Sequence, residues 1–171
     1  MNHKNIAIEV LKKLLNDEIK ARTKKNLVQS KSLMDMLNNS IRKHYNRLIT
    51  AVEVIEELIK TAKEICREDS EFEKMDLSEH EYAFYTAIAN NKSAREFMKD
   101  ERLRDLAIIL TEKIKKTASI DWTIKTSVQA KLKVMVKRTL EEFGYPPDMQ
   151  ESARDTVIKQ AELIADELTA Q

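Results

Sequence analysis

The side chains best suited to catalysis are few and scattered in this sequence of 171 residues. Its three histidines, His3, His44 and His80, fall in no HExxH motif, which holds zinc between two histidines on one helix face. They also lack the ExxH spacing of di-iron bundles. Cys66 is the only cysteine, so the chain cannot form an internal disulfide or a cysteine-based zinc site. We therefore expect surface histidines, a buried structural thiol at Cys66, and no metal site.

Acidic residues are plentiful, but their spacing is typical of solvated helix faces rather than of an active site. A nuclease needs paired acids and a lysine two residues after the second acid, which polarises the phosphate. Pro147-Asp148 begins such a pattern, but no acid-x-lysine triplet follows it. The triplet Glu18-Ile19-Lys20 comes earlier in the chain and lies on a predicted helix. The carboxylates therefore predict no nuclease centre.

Glycine and proline are rare, and all of them lie in Gly144-Tyr145-Pro146-Pro147. Average usage would give ~12 glycines and ~9 prolines in a chain of this length. There is no GxGxxG and no GxxxxGK motif, so the chain cannot build a Rossmann or Walker nucleotide loop. Scarce glycine also disfavours hairpin turns. These counts predict an all-α chain that is not an enzyme by itself and holds no cofactor of its own.

The apolar residues recur with helical spacing and predict a single compact bundle of about six helices. The strongest signal alternates steps of four and three, as in a heptad repeat, and it comprises Ile41, Tyr45, Leu48, Val52, Ile55, Ile59, Ala62 and Cys66. It predicts one long helix over about residues 29–68, or alternatively a break at Asn38-Asn39-Ser40. The acidic residues 68–76 have no periodicity and predict a loop.

Two motifs predict helix ends. Ser78 and Glu81 have the spacing of a capping box, in which each side chain accepts a hydrogen bond from the other residue's backbone N–H. Gly144 can take the left-handed conformation that ends many helices, and a proline two residues later cannot continue one. We therefore expect helices to start after Ser78 and to stop before Gly144.

The whole chain is expected to be one helical domain, with residues 1–25 forming a loosely attached N-terminal helix. Charged residues at Glu9, Lys12 and Lys13 interrupt any apolar segment at the start, so no signal peptide is expected. The longest apolar run, Leu106 to Leu110, is far shorter than the ~20 residues of a membrane span. These features predict a soluble, cytoplasmic protein without membrane contact.

Charge is segregated along the chain although the formal net charge is only +1. Residues 20–47 hold eight basic residues and one acid, and residues 121–140 hold five basic residues and one acid. Residues 68–81 show the reverse, with seven acids and one lysine. Such basic segments can contact phosphate or an acidic partner. The alternative is that basic helices pair with acidic ones inside the molecule.

Several segments resemble one family. The block Ile120-Asp121-Trp122-Thr123, with Ala130–Lys133, Val136–Arg138 and Gly144–Asp148, resembles the C-terminal signature of the restriction (R, or motor) subunit of type I restriction-modification enzymes. Tyr45–Arg47 running into Ala51–Ile59, and Leu77–Tyr85, are similar to the same family. The resemblance covers roughly residues 41–165.

The resemblance implies that the chain is the excised C-terminal helical part of a larger subunit. In that family an endonuclease domain and two helicase-like motor domains, which use ATP and Mg²⁺, precede a helical C-terminal part. The nuclease and Walker residues of the family have no matching positions here, so ATP and Mg²⁺ are implied for the parent subunit only. The implied role is to hold the motor on the methyltransferase and specificity subunits. The implied partners are those subunits and the rest of the R subunit.

Three functional hypotheses follow, and each names different residues or ligands. The leading one is a docking domain whose partner-binding residues are Lys125, Lys131, Lys133, Lys137, Arg138 and Tyr145. The second is contact with duplex DNA through Lys24, Lys25, Lys31, Arg42, Lys43 and Arg47. The third is a crevice between helices that binds a small molecule such as a nucleotide. For Tyr145, a structural role at the helix corner is the alternative to partner contact.

Overall fold

The computed structural model describes residues 2–118 and 126–169, and the regular structure in these ranges is helical throughout. The described part contains eight α-helices: α1 Asn2–Arg22, α2 Leu27–Tyr45, α3 Ala51–Lys74, α4 Glu79–Ala89, α5 Lys92–Phe97, α6 Asp100–Ala118, α7 Thr126–Glu142 and α8 Pro147–Thr169. The all-α prediction is confirmed, whereas the count of about six helices in one bundle is not. None of the described helices has an apolar stretch long enough to span a bilayer.

The chain divides into two compact units. Unit 1 contains residues 1–23 and 29–75, and unit 2 contains residues 24–28 and 76–171. The two units have separate apolar cores, because the buried residues form two distinct clusters. Each unit therefore buries apolar side chains in a core of its own.

Unit 1 packs α1, α2 and α3 around one core. The helix α1, expected to be loosely attached, contributes Ile8, Leu15 and Ile19 to this core. Arg22 at the end of α1 forms an ion pair with Asp69 near the end of α3, which links these two helices. The remaining core residues come from α2 and α3: Leu33, Leu37, Ile41, Val54, Leu58 and Ile65.

The prediction of one long helix over about residues 29–68 is wrong, because the chain turns at residues 46–50. Arg47 has a left-handed backbone (φ 57°), and the N–H of Leu48 donates to the carbonyl of Lys43 at 2.9 Å. This is the hydrogen bond that closes a Schellman helix end. A new helix then starts at Ala51, after a capping box formed by the side chains of Thr50 and Glu53. The alternative break at residues 38–40 is also wrong, because these residues lie inside α2.

The buried face of α3 is not the predicted heptad stripe. Its buried residues are Val54, Leu58, Thr61 and Ile65. Of the predicted stripe, the exposed members are Tyr45, Leu48, Val52, Ile59 and Cys66. The prediction of a buried thiol at Cys66 is therefore wrong. Both faces of α3 carry apolar residues, and helical spacing alone cannot tell which face packs inward.

The acidic segment at residues 68–76 is also helical up to Lys74, so the predicted loop is wrong. Ion pairs compensate for its acidic charge, since Arg67 pairs with Glu64 and Glu71, and Lys74 pairs with Glu71. The helix ends at Lys74, and the N–H of the C-cap residue Met75 donates to the carbonyl of Glu71 at 3.1 Å. Side-chain pairs three and four residues apart thus support a helix that composition disfavours.

Unit 2 is built on α4, which packs against α6 and α8, while α7 packs against α6 and α8. Its core includes Phe84, Leu106, Leu132, Val136 and Leu140, all almost completely buried. The predicted capping box of Ser78 and Glu81 is present and starts α4. This confirms the helix start after Ser78.

A buried glutamine ties residues 24–28 into unit 2. The side-chain oxygen of Gln160 accepts a hydrogen bond from the N–H of Leu27 at 2.7 Å. Its side-chain nitrogen lies 3.4 Å from the carbonyl of Lys24 and 3.2 Å from that of Lys25. Gln160 thereby satisfies backbone groups of a segment that precedes it by more than a hundred residues in sequence. Such a long-range contact cannot be read from local patterns.

Candidate partner-binding groove

A groove of about 550 Å³ lies between α6 and α7. Lys113 lines it from α6, and the rest of the lining comes from α7: Ala130, Lys131, Val134, Met135, Arg138 and Glu142. Val134 is 51% exposed, which is high for a large apolar side chain in a helix that also contributes to the core. The groove therefore combines an apolar floor with basic groups.

The spacing of α7 explains why these side chains share one face. Lys131, Val134 and Arg138 are separated by three and four residues, so they recur once per helical turn. The opposite face carries Leu132 and Val136, which are completely buried in the unit 2 core. Burial of that face against unit 2 leaves the lysine and arginine of the outer face in solvent.

The basic side chains of the groove differ in whether they pair with a carboxylate of the same chain. The Nζ of Lys113 donates to the hydroxyl of Thr139 at 2.9 Å and lies 3.6 Å from a carboxylate oxygen of Glu142. Within the described residues, Lys131 and Arg138 form no ion pair. The groove therefore has a net positive charge at its rim and one cation whose charge is compensated inside the chain.

The lining of this groove offers basic charge and apolar contact to a ligand. Its lining lacks histidine and cysteine, and its single carboxylate, Glu142, already pairs with Lys113. Among the described residues, no group of three or more histidine, cysteine, aspartate or glutamate side chains is arranged to hold a metal ion. A basic rim around an apolar floor suits an acidic segment that carries an apolar anchor.

The structure brings together only part of the predicted partner-binding set. Lys131 and Arg138 line the groove, whereas Lys133 and Lys137 lie on α7 outside it. Lys137 is paired with Glu141 at 3.9 Å. Lys125 lies outside the described residues. Sequence reasoning missed Lys113, because it lies on another helix and no local pattern links it to α7.

Tyr145 is buried, which favours the structural alternative over partner contact. Its hydroxyl donates to the carbonyl of Ile88 at 2.6 Å, and burial raises its pKa to about 12. Its own carbonyl accepts a hydrogen bond from the side chain of Gln150 at 2.8 Å. The preceding Gly144 has a φ of 71°, as expected for the end of α7. A side chain that is 1% exposed offers no surface to a partner in this conformation.

The predicted DNA-binding residues are divided between the two units. Lys24 and Lys25 belong to unit 2, and the other four, Lys31, Arg42, Lys43 and Arg47, belong to unit 1. Lys25 pairs with Glu79 at 3.4 Å and Lys43 pairs with Glu57 at 3.1 Å. For these two lysines, the alternative of pairing inside the molecule accounts for the charge.

A family model identifies what kind of chain carries this groove. The model described as "Type I restriction enzyme HindI endonuclease subunit-like, C-terminal" matches residues 1–167. The chain belongs to this family. The family resemblance drawn from the sequence is therefore confirmed, and the match also includes residues 1–40, which carried little of the signature.

Two relatives of this chain are much longer proteins. The type I restriction enzyme HindI endonuclease subunit of Haemophilus influenzae is 37% identical over 166 residues, which are 97% of this chain and 16% of the relative. The type I restriction enzyme MjaIXP endonuclease subunit of Methanocaldococcus jannaschii is 32% identical over 147 residues, 84% of this chain and 14% of the relative. The chain thus spans about one sixth of the length of the first relative and about one seventh of the second. No solved structure matches it.

The family signature lies partly in the described part of this type I domain. Gly144–Asp148 forms the corner between α7 and α8, and Ala130–Lys133 and Val136–Arg138 lie in α7. The block Ile120–Thr123 lies outside the described residues. Within the described signature, therefore, one segment builds the groove and the other fixes the end of the helix that carries it.

Proposed function

We propose that this chain is a non-catalytic docking domain of a type I restriction enzyme motor subunit. It anchors the ATP-dependent translocase and endonuclease part to the methyltransferase–specificity core. The groove between α6 and α7 is the docking site, and it receives an apolar side chain flanked by acidic residues of the core. The observation that supports this best is the uncompensated pair Lys131 and Arg138 beside the exposed Val134.

The arrangement suits assembly for two physical reasons. Desolvated apolar anchors at the centre of an interface supply most of the binding free energy. Charged groups around the anchor steer the encounter and exclude partners with the wrong charge. Val134 and Met135 offer the apolar contact, and Lys131 and Arg138 offer the charge. Lys113 is already paired, so it contributes to the shape of the groove more than to its net charge.

A capture experiment with matched charge reversals tests this proposal. The chain is immobilised and its affinity for the purified methyltransferase–specificity complex is measured. Lys131→Glu with Arg138→Glu should weaken binding at least tenfold, which corresponds to about 1.4 kcal/mol. Lys133→Glu with Lys137→Glu changes the charge of the same helix equally but lies outside the groove, so it should leave binding nearly unchanged. Equal losses in both double variants would contradict the groove as the docking site.

Duplex DNA is the competing ligand for a basic surface, and salt separates it from a protein partner. Phosphate binding releases counterions, so DNA affinity falls steeply and linearly in log–log form as salt rises. Retention of the chain on duplex DNA with such a slope, lost in the Lys131→Glu and Arg138→Glu variant, would favour DNA contact over docking. A shift of the unfolding temperature by ATP would instead favour the small-molecule crevice.

A further inference from the structure

The ammonium group of Lys113 is held in the groove by two groups of different kinds. Its Nζ donates to the hydroxyl of Thr139 at 2.9 Å and lies 3.6 Å from a carboxylate oxygen of Glu142. Thr139 is completely buried, whereas the side chain of Glu142 is 65% exposed. Lys113 is therefore fixed by a group in the protein interior and neutralised by a carboxylate that lies largely in solvent.

The hydroxyl of Thr139 is oriented to accept a hydrogen bond from Lys113. Its own proton is donated to the carbonyl of Met135, at 2.9 Å, one turn earlier in α7. A hydroxyl has one proton and two lone pairs, so an oxygen whose proton is already donated can only accept. Because α7 holds both Met135 and Thr139, this acceptor stays in place whether or not a carboxylate lies near Lys113.

The contact between Lys113 and Glu142 is weak for three reasons. Its length of 3.6 Å exceeds the ~2.8 Å of a hydrogen bond between an ammonium group and a carboxylate. Ion pairs between exposed side chains contribute little to stability, because water solvates both charges. Glu142 is also the last residue of α7, where the negative end of the helix dipole disfavours a carboxylate. Displacing Glu142 from Lys113 therefore costs little free energy.

The position of Glu142 shows which chemical group fits beside Lys113. Lys113 comes from α6 and Glu142 from α7, and both line the groove together with the apolar Val134 and Met135. A carboxylate thus already contacts this ammonium group within the groove. An acidic side chain of a partner whose apolar anchor packs on Val134 is the same kind of group, and the anchor supplies binding free energy that Glu142 lacks.

We propose that Lys113 is a specificity-determining residue of the docking groove, and that a carboxylate of the partner replaces Glu142 beside it. Glu142 neutralises Lys113 in the free chain, so a partner gains from this lysine only if it supplies an acid at the same position. The inference rests on the docking role proposed above. It adds a third cation, held on α6, to Lys131 and Arg138 on α7.

Two neighbouring acids of α7 provide a matched comparison. Glu142→Gln frees Lys113, and Glu141→Gln frees Lys137, which lies outside the groove. Both variants remove one negative charge from the same helix end. Glu142→Gln should tighten capture by the purified methyltransferase–specificity complex about threefold, because it removes a competing carboxylate. Glu141→Gln should leave the affinity nearly unchanged, and equal affinities of the two variants would overturn the inference.

The variant Lys113→Met identifies the group through which Glu142 acts. Methionine keeps a long unbranched side chain and removes the charge. In this background, Glu142→Gln should bind no more tightly than Glu141→Gln. Circular dichroism should show unchanged helicity, because none of these three side chains belongs to the unit 2 core. A gain that persists without the ammonium group would show that Glu142 repels the partner directly, which would contradict the exchange of carboxylates.

Failure of this inference and failure of the docking role give different results. If the complex does not capture the wild-type chain, the docking role is wrong and this inference is wrong with it. If Lys131→Glu with Arg138→Glu weakens capture but Glu142→Gln and Glu141→Gln bind alike, the docking role is supported and only the exchange at Lys113 is wrong.

Zero-length cross-linking tests the exchange itself. A carbodiimide activates a carboxylate, and a lysine amine in contact with it then forms an amide. In the free chain, the expected product joins Lys113 to Glu142. In the complex, this product should decrease, and mass spectrometry of the digest should show an amide between Lys113 and an aspartate or glutamate of the methyltransferase–specificity complex. A Lys113–Glu142 product that is undiminished in the complex would overturn the exchange.

Discussion

Two helix ends in this chain share one backbone pattern but differ in what holds them. We call them the Arg47 corner, residues 43–48, and the Gly144 corner, residues 140–145. In each, the penultimate residue is left-handed and the last N–H bonds five residues back, at 2.9 Å in both. Leu48, the last residue of the first corner, is 72% exposed, whereas Tyr145 is buried and bonded to α4.

The difference shows that the same turn can be fixed by long-range or by local contacts. The Gly144 corner has a residue that tolerates the left-handed backbone and a buried tyrosine that anchors it. The Arg47 corner has neither, and its chain direction is instead set by the capping box of Thr50 and Glu53 at the start of the next helix. We therefore expect unlike responses when equivalent residues of the two corners are changed.

The largest contrast is expected at the last residue of each corner. Tyr145→Ala empties a buried site and leaves the carbonyl of Ile88 without its donor, so unit 2 should lose about 3–5 kcal/mol of unfolding free energy. Leu48→Ala removes an exposed side chain and should change unit 1 by no more than about 0.5 kcal/mol. Hydrogen exchange of α7 and α3 amides measures the two units separately.

A third variant separates the contributions of packing and hydrogen bonding at Tyr145. Tyr145→Phe keeps the ring and removes the hydroxyl, so it should cost about 1–2 kcal/mol, less than the alanine variant. If Leu48→Ala were as damaging as Tyr145→Ala, the two corners would not differ in the way their burial indicates.

The next contrast concerns the left-handed residue of each corner, where substitution should change stability in opposite directions. Gly144→Ala should destabilise unit 2 by about 1 kcal/mol, because alanine is strained at a φ of 71°. The added Cβ meets no neighbour closer than 3.9 Å, so the cost is conformational rather than steric crowding. Arg47→Gly should stabilise unit 1 by up to about 1 kcal/mol, since glycine relieves the same strain.

Urea unfolding measures the free energy of unfolding of Gly144→Ala and Arg47→Gly. Hydrogen exchange of the amides in each unit then shows which unit has changed in stability. Asp35→Gly, in the interior of α2, is the control for the general effect of glycine in a helix, and it should destabilise. A loss of stability in Arg47→Gly as large as in Asp35→Gly would mean that the left-handed backbone at position 47 carries no strain.

These corners also show how far the sequence determines the fold. The helix end at Gly144 could be predicted because glycine followed by proline is a local signal, and the prediction there was correct. Arg47 gives no local signal, so the heptad pattern seemed to continue through it and two helices were interpreted as one. The all-α class and the capping box at Ser78 could be predicted, because both depend on composition or on residues three apart.

The candidate site was predictable only in part, for a related reason. The outward face of α7, with Lys131 and Arg138, follows from helical spacing alone. Lys113 and the groove depend on how α6 packs against α7, which no local pattern encodes. On α3, two apolar faces compete for burial, and the residues that pack inward are decided by the other helices of unit 1. The sequence left Tyr145 open between partner contact and a structural role at the helix corner, because the residue it contacts, Ile88, lies 57 residues away in sequence.

A smaller effect is expected from the capping box that follows the Arg47 corner. The hydroxyl of Thr50 accepts a hydrogen bond from the N–H of Glu53 at 3.3 Å. Thr50→Ala removes this acceptor and should destabilise unit 1 by about 1 kcal/mol, whereas Thr50→Ser keeps it and should be nearly neutral. The measurement is exchange of the first amides of α3. Equal behaviour of the alanine and serine variants would show that the hydroxyl does not fix the start of α3.

The smallest effect is a pH dependence of stability that comes from Glu53, the second residue of this capping box. The N–H of Thr50 donates to the carboxylate of Glu53 at 2.6 Å, and this bond lowers the pKa of Glu53 below its ordinary value of 4.5. Because the folded chain holds this proton less tightly than the unfolded chain, the stabilisation is complete above pH 4.5 and is lost as pH falls below it. Glu53→Gln should therefore be less stable than the wild type near pH 6, and the difference should shrink towards pH 3. Comparing the two chains cancels the titration of all other acids, and a difference that grows on acidification would contradict the capping role of Glu53.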